Sequence, residues 1–142
     1  LPAETLQKLA ALAPLRITPW RSLVLEGLHT APALPELITQ PDDARLRVMA
    51  CTGAPGCTQA LAPTRALARF LAPLLPAGRT AHVSGCTKGC AHHGATLTLV
   101  ASDAGYHLID HGTAQSAPDA TGLDAAGIAA YLEQQRLHAP YV

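Results

Sequence analysis

The chain has 142 residues, the length of one ordinary domain or of one lobe of a larger protein. Apolar residues make up 49% and charged residues 14%, so a real core can form. Ten Lys plus Arg balance ten Asp plus Glu, which leaves no electrostatic pull toward nucleic acid or an anionic membrane surface.

No apolar run is long enough to span a bilayer. The start shows no basic stretch followed by an unbroken apolar core, so no secretory signal is read and a cytoplasmic protein is expected. The chain opens at Leu1 without a methionine, as a fragment or a trimmed chain would. In a reducing compartment four cysteines point to metal ligands before disulfides.

In chain order, Leu6, Leu9 and Ala13 at helical spacing predict a helix from Leu1 to Pro14. Residues 15–25 read as one or two short strands with a bend at Pro19, and Trp20 is expected to pack on that strand pair. A loop over 27–32 leads to a short helix over 32–40 and a turn at Pro41-Asp42-Asp43. Arg45 to Ala50 alternates as a strand entering Cys51, with Arg45 and Arg47 solvated beside it. Leu67, Phe70, Leu71 and Leu74 fall on one helical face, closed by Pro73 and Pro76-Ala77-Gly78. Thr80 to Ser84 is a strand leading into Cys86, and Thr96–Ala101 with Tyr106–Asp110 form a hairpin. After a loop from His111 to Pro118, Asp124 caps a last helix reaching about Arg136, with Leu123 and Ile128 as its hydrophobic staple. Tyr106 and Tyr131 read as core. The order of elements gives an α+β, or mixed α/β, fold.

Two motifs carry the chemistry. Cys51-Thr52-Gly53-Ala54-Pro55-Gly56-Cys57 is a Cys-x5-Cys loop, and Cys86-Thr87-Lys88-Gly89-Cys90 is a Cys-x3-Cys loop. Each begins where a strand ends, which is where open α/β sheets place their ligands. Four thiolates match the four corner irons of a cubane cluster. Such a cluster is anionic, and burying it calls for backbone N–H groups aimed at sulfur. Gly53, Gly56, Gly85 and Gly89 would let the backbone take positive φ and come close without a Cβ clash. A helix starting after Cys57 would add its dipole in the same sense. Structural zinc favours Cys-x2-Cys knuckles, and two disulfides would need an oxidising compartment, so both stand as weaker alternatives to a [4Fe–4S] cluster.

The spacing of these loops resembles the assimilatory nitrite/sulfite reductase superfamily, in which four such cysteines hold a [4Fe–4S] cluster and the last bridges to sirohaem iron. Cys90 falls at the bridging position. Within it, the strings Ala50 to Cys57 and Val83 to His92, with Arg16-Ile17-Thr18-Pro19-Trp20-Arg21 upstream, are similar to the precorrin-3B synthase family. Sirohaem reductases typically carry Pro-Asn where this chain has Thr87-Lys88.

The resemblance runs from about Leu15 onward and implies a half ferredoxin-like unit over 1–41, then an α/β cluster-binding unit over 42–142. It implies an O2-dependent monooxygenase that hydroxylates precorrin-3A at a meso carbon, with a ring acetate closing to a γ-lactone. The electron donor would be an NADH-linked reductase or a ferredoxin, and a separate mononuclear non-haem iron would activate O2. The family is built as two repeats, and this chain matches the second. By itself it is therefore expected to lack activity, and to pair its exposed sheet edge with the absent repeat or with a second copy in a homodimer. The alternatives are a fragment of a sirohaem-dependent nitrite or sulfite reductase, and a non-enzymatic iron–sulfur electron-transfer module.

A polycarboxylate tetrapyrrole needs cationic partners, and Arg16, Arg21 and Lys88 are the candidates. His92 and His93 follow Cys90 directly and are candidates for a proton-transfer or iron site. His82 precedes the second loop. His29, His107, His111 and His138 read as loop or surface residues. No catalytic residue is assigned.

Overall fold

The computed structural model describes residues 1–138. By its internal contacts the chain divides into two units, Leu1–Pro41 and a second from Asp42 onward.

The first unit opens with helix α1, Ala3–Leu12. Leu9 is buried as its spacing predicts, with Thr5 one turn before it, whereas Leu6 is 39% exposed. Strands β1, Leu15–Ile17, and β2, Leu23–Leu25, pair antiparallel, with Arg16 opposite Val24. The turn between them is tied by Thr18 and Ser22, whose hydroxyls lie 2.7 Å apart. Trp20 sits in that turn and is 81% exposed; it is not packed on the strand pair. Residues 32–40 form no helix. Only a turn at Pro35–Glu36 appears, because Pro32 and Pro35 supply no N–H to an i→i−4 ladder.

The second unit begins with a 3-10 turn, Ala44–Arg47, where a strand was expected. The Asp43 carboxylate accepts from the Arg45 N–H at 2.9 Å and pairs with its guanidinium, and this local bonding competes with extended backbone. Arg47 is not solvated either. It donates to the carbonyl of Pro76 at 2.6 Å, tying the turn to the end of the following helical segment. Strand β3 is therefore short, Val48–Ala50.

Helix α2, Arg65–Leu71, continues as a 3-10 turn to Leu74. Strands β4 (Ala81–Ser84), β5 (Thr96–Ser102), β6 (Gly105–Gly112) and β7 (Ala120–Leu123) complete a five-stranded sheet in the order β3-β4-β5-β6-β7. Strands β3, β4 and β5 run parallel, β6 runs antiparallel to β5, and β7 antiparallel to β6. Helix α3, Ala125–His138, closes the fold, and Asp124 caps it by accepting from the Gly127 N–H at 2.7 Å. The His138 side chain and residues 139–142 lie outside the described residues.

The two sheet faces differ in character, as alternation along each strand requires. On one face Ala81, Val83, Leu97, Leu99 and Leu108 join Leu67 and Leu71 of α2 and Ile128 and Leu132 of α3 in the main core. Each fully buried leucine there is worth about 1.5–3 kcal/mol of transfer free energy. Tyr106 and Tyr131 pack against it, part-buried. The opposite face carries His82, Ser84 and Thr98, all buried.

Parallel strands need a connection that returns the chain to the starting end of the sheet. Between β4 and β5 that task falls to residues 85–95, which contain the second cysteine loop and no helix. This segment brings His92 edge-on against His82, ring centroids 6.0 Å apart, so it runs back across the polar face.

Candidate functional site

Both cysteine loops leave the carboxyl ends of neighbouring parallel strands. Cys51 follows Ala50 of β3 directly, and Cys86 lies two residues beyond the end of β4, with Ala50 paired to Val83. This edge is where α/β sheets gather ligands, since the loops there diverge and leave backbone groups unpaired.

One sulfur is already engaged. The Gly85 N–H, from the second loop, donates to Cys51 Sγ of the first at 3.2 Å. The Leu61 N–H donates to the Gly85 carbonyl at 2.9 Å and draws the loops together again. Inside the first loop the Cys57 N–H bonds the Gly53 carbonyl at 2.9 Å. The two entry cysteines share a device. Cys51 O accepts from the Thr64 hydroxyl, and Cys86 O from the Ser84 hydroxyl, each at 2.7 Å.

The four glycines work in two ways. Gly53 and Gly89 adopt positive φ, +69° and +66°. Gly56 and Gly85 do not, and there the constraint is space alone. A Cβ on Gly85 would lie 2.6 Å from Ala60 Cβ, and one on Gly56 2.8 Å from Thr52 Cγ2.

Cys51, Cys57 and Cys86 are part-buried, Cys90 is exposed, and all four are free thiols. Among the described residues no group of three or more His, Cys, Asp or Glu converges to hold a metal ion. A cubane takes one thiolate at each corner iron, so its ligands stand apart from one another. What fits that group is the backbone: two adjacent loops, an N–H on sulfur, and glycines where side chains would obstruct. Helix α2 starts at Arg65, eight residues after Cys57.

Several residues that shape the site escaped sequence reasoning. The Tyr106 phenol donates to the Pro63 carbonyl at 2.7 Å and anchors the far end of the first loop. Burial pushes that phenol above its usual pKa, and Cys51 adds to the rise. Gln115 donates to the Thr87 carbonyl at 2.6 Å and holds the second loop. No motif marks any of them; only the fold brings them in.

His82 is fully buried, with neither ring nitrogen bonded in the structure. Burial pulls its pKa down to about 4, and His92 and His93 add to the fall. His92 is part-buried and His93 exposed. His107 and His111 both lie on β6, which runs on to Gly112 where a loop from His111 was expected; His107 is part-buried, and His111 and His29 are exposed.

Of the candidate cations, Lys88 is exposed within the second loop. Arg16 and Arg21 are exposed in the first unit, where Arg16 pairs with Glu26 and Arg21 takes a left-handed φ of +59°.

Among curated proteins, a precorrin-3B synthase from Sinorhizobium sp is 41% identical to this chain over 83 residues. The chain is similar to a precorrin-3B synthase. The match takes in 55% of this chain and 18% of that synthase, so the chain spans a small part of its relative's length. No family model matches the chain, and no solved structure does. No helix among the described residues is long and apolar enough to cross a membrane.

Proposed function

We propose that this chain is the cluster-binding, C-terminal half of a precorrin-3B synthase-like oxidoreductase of aerobic cobalamin biosynthesis. Its reaction is O2-dependent hydroxylation of the tetrapyrrole precorrin-3A with γ-lactone formation. The observation that carries this reading is the pair of cysteine loops on adjacent parallel strands, joined by the Gly85 N–H on Cys51 Sγ, in a chain similar to a precorrin-3B synthase.

Cys51, Cys57, Cys86 and Cys90 would hold a [4Fe–4S] cluster. When bound, that group supplies single electrons from a reductase or ferredoxin partner. The chain's own residues do the holding. The Gly85 N–H compensates charge on the Cys51 sulfur, and Thr64 and Ser84 fix the two entry cysteines through their carbonyls. Lys88, exposed two positions before Cys90, would meet a carboxylate of a large anionic substrate. Arg16 and Arg21 are proposed for the same task. His92 and His93 are candidates for moving protons or for holding the separate iron.

Anaerobic reconstitution with iron and sulfide, followed by EPR after reduction, tests the reading. The native chain should take up a cluster, and Cys51→Ser, Cys57→Ser, Cys86→Ser and Cys90→Ser should each abolish or cripple it. Normal clusters in all four variants would refute the ligand assignment.

A further inference from the structure

Thr64 occupies the N-cap of α2 but does not cap it. No side-chain hydrogen bond runs from it to the helix N–H groups. Its hydroxyl turns instead to Cys51, thirteen positions earlier, donating to the carbonyl at 2.7 Å and lying 4.0 Å from the sulfur. The residue is fully buried, and the chain is shaped around it. Gly53 takes its left-handed φ against Thr64, and a Cβ there would come within 2.5 Å of the hydroxyl oxygen and 2.7 Å of the Thr64 nitrogen. A residue that gives up a helix cap to bond one cysteine is serving that cysteine.

We propose that Thr64 is the positioning residue of the cysteine site, fixing Cys51 so that its sulfur meets the Gly85 N–H before any cofactor binds. This rests on the reading of Cys51 as a cluster ligand. With the Cys51 carbonyl held by Thr64 and its N–H held by the Val83 carbonyl at 3.2 Å, the residue has little backbone freedom left. The side chain then points at one donor. Outer contacts of this kind orient a ligand and lower the ordering cost of assembling the site.

The test uses the full chain and two substitutions. Thr64→Val keeps the shape and removes the hydroxyl; Thr64→Ser keeps the hydroxyl. In the metal-free chain the Gly85 amide resonance reports the N–H···S bond directly. It should move in Thr64→Val and return to its native position in Thr64→Ser, with the melting profile recorded alongside. A residue that merely fills space would change melting without this pattern. On reconstitution with iron and sulfide, Thr64→Val should bind iron about tenfold more weakly, and Thr64→Ser should recover. Where Thr64→Val does not fold, Thr64→Ala takes its place in the same comparison.

An unmoved Gly85 amide together with native iron uptake in the folded variant would overturn the proposal. If the native chain takes up no cluster while the amide still moves in Thr64→Val and returns in Thr64→Ser, the positioning role stands and the cluster reading falls.

Discussion

His82 shows what a single side chain can store. Its imidazole is fully buried beside His92 and His93, and its pKa is held at about 4 against an ordinary 6.5. Between those values the unfolded chain binds a proton that the folded chain resists. Stability from this residue is therefore intact above about pH 6.5 and is lost as pH falls toward 4. The full loss is at most about 3 kcal/mol, from the conversion of pKa shift to free energy. Urea unfolding of the metal-free chain between pH 7 and pH 4.5 should show it, and His82→Gln should flatten that part of the profile. Equal slopes in the native chain and the variant would contradict the assignment. Residue types at meaningful spacing were legible from the start: the four cysteines and their glycines declare themselves. Thr64 does not, because a threonine just before a helix reads as an ordinary cap. Trp20 was misplaced because a large aromatic beside a strand is usually core, whereas here it lies in an exposed turn.

Among the elements, those with internal signals were readable. Helix α2 carries Leu67 and Leu71 of its apolar face in its own spacing, although Phe70, expected on that face, is 49% exposed and Ala68 is buried instead; the β5–β6 hairpin shows its alternation and its turn, and α3 announces its cap at Asp124. The elements that were missed depend on partners. Strand β7, Ala120–Leu123, contains a glycine at positive φ and has no alternation of its own; pairing with β6 makes it a strand. The 3-10 turn at Ala44–Arg47 follows from one Asp43 carboxylate, and the absent helix at 32–40 from two prolines. The first cysteine loop is where element and chemistry meet, and Gly53 is its hinge point. Gly53→Ala would put an L side chain in a left-handed conformation, costing about 1–2 kcal/mol. It would also press a methyl into Thr64, with the backbone nitrogen only 2.7 Å away, so the loop must shift. The expected result is a lower urea midpoint and a chain that no longer takes up a cluster. Gly56→Ala meets only the methyl of the exposed Thr52 and should be milder on both measures. Equal effects of the two substitutions would break the link between Thr64 and the loop.

At the level of the whole molecule, the two units differ in how completely they satisfy themselves. The second has an apolar core between one sheet face and two helices. The first has a two-stranded sheet, and two strands alone are only marginally stable in water. Its strands also display apolar surface: Ile17 is 83% exposed and Val24 46%, with Trp20 at the connecting turn. Ile17 stands opposite Leu23 and Val24 opposite Arg16, so the two lie on different faces, and exposed Ile17 with the turn that holds Trp20 is the apolar surface offered for association. We therefore expect this chain, taken alone at micromolar concentration, to associate through the β1–β2 hairpin as a homodimer. A double substitution, Ile17→Lys with Trp20→Lys, should return a monomer by light scattering while leaving the melting of the second unit near native, because no residue of its core is touched. A native chain that is already monomeric would refute the homodimer. A dimer that survives both lysines would place the contact elsewhere.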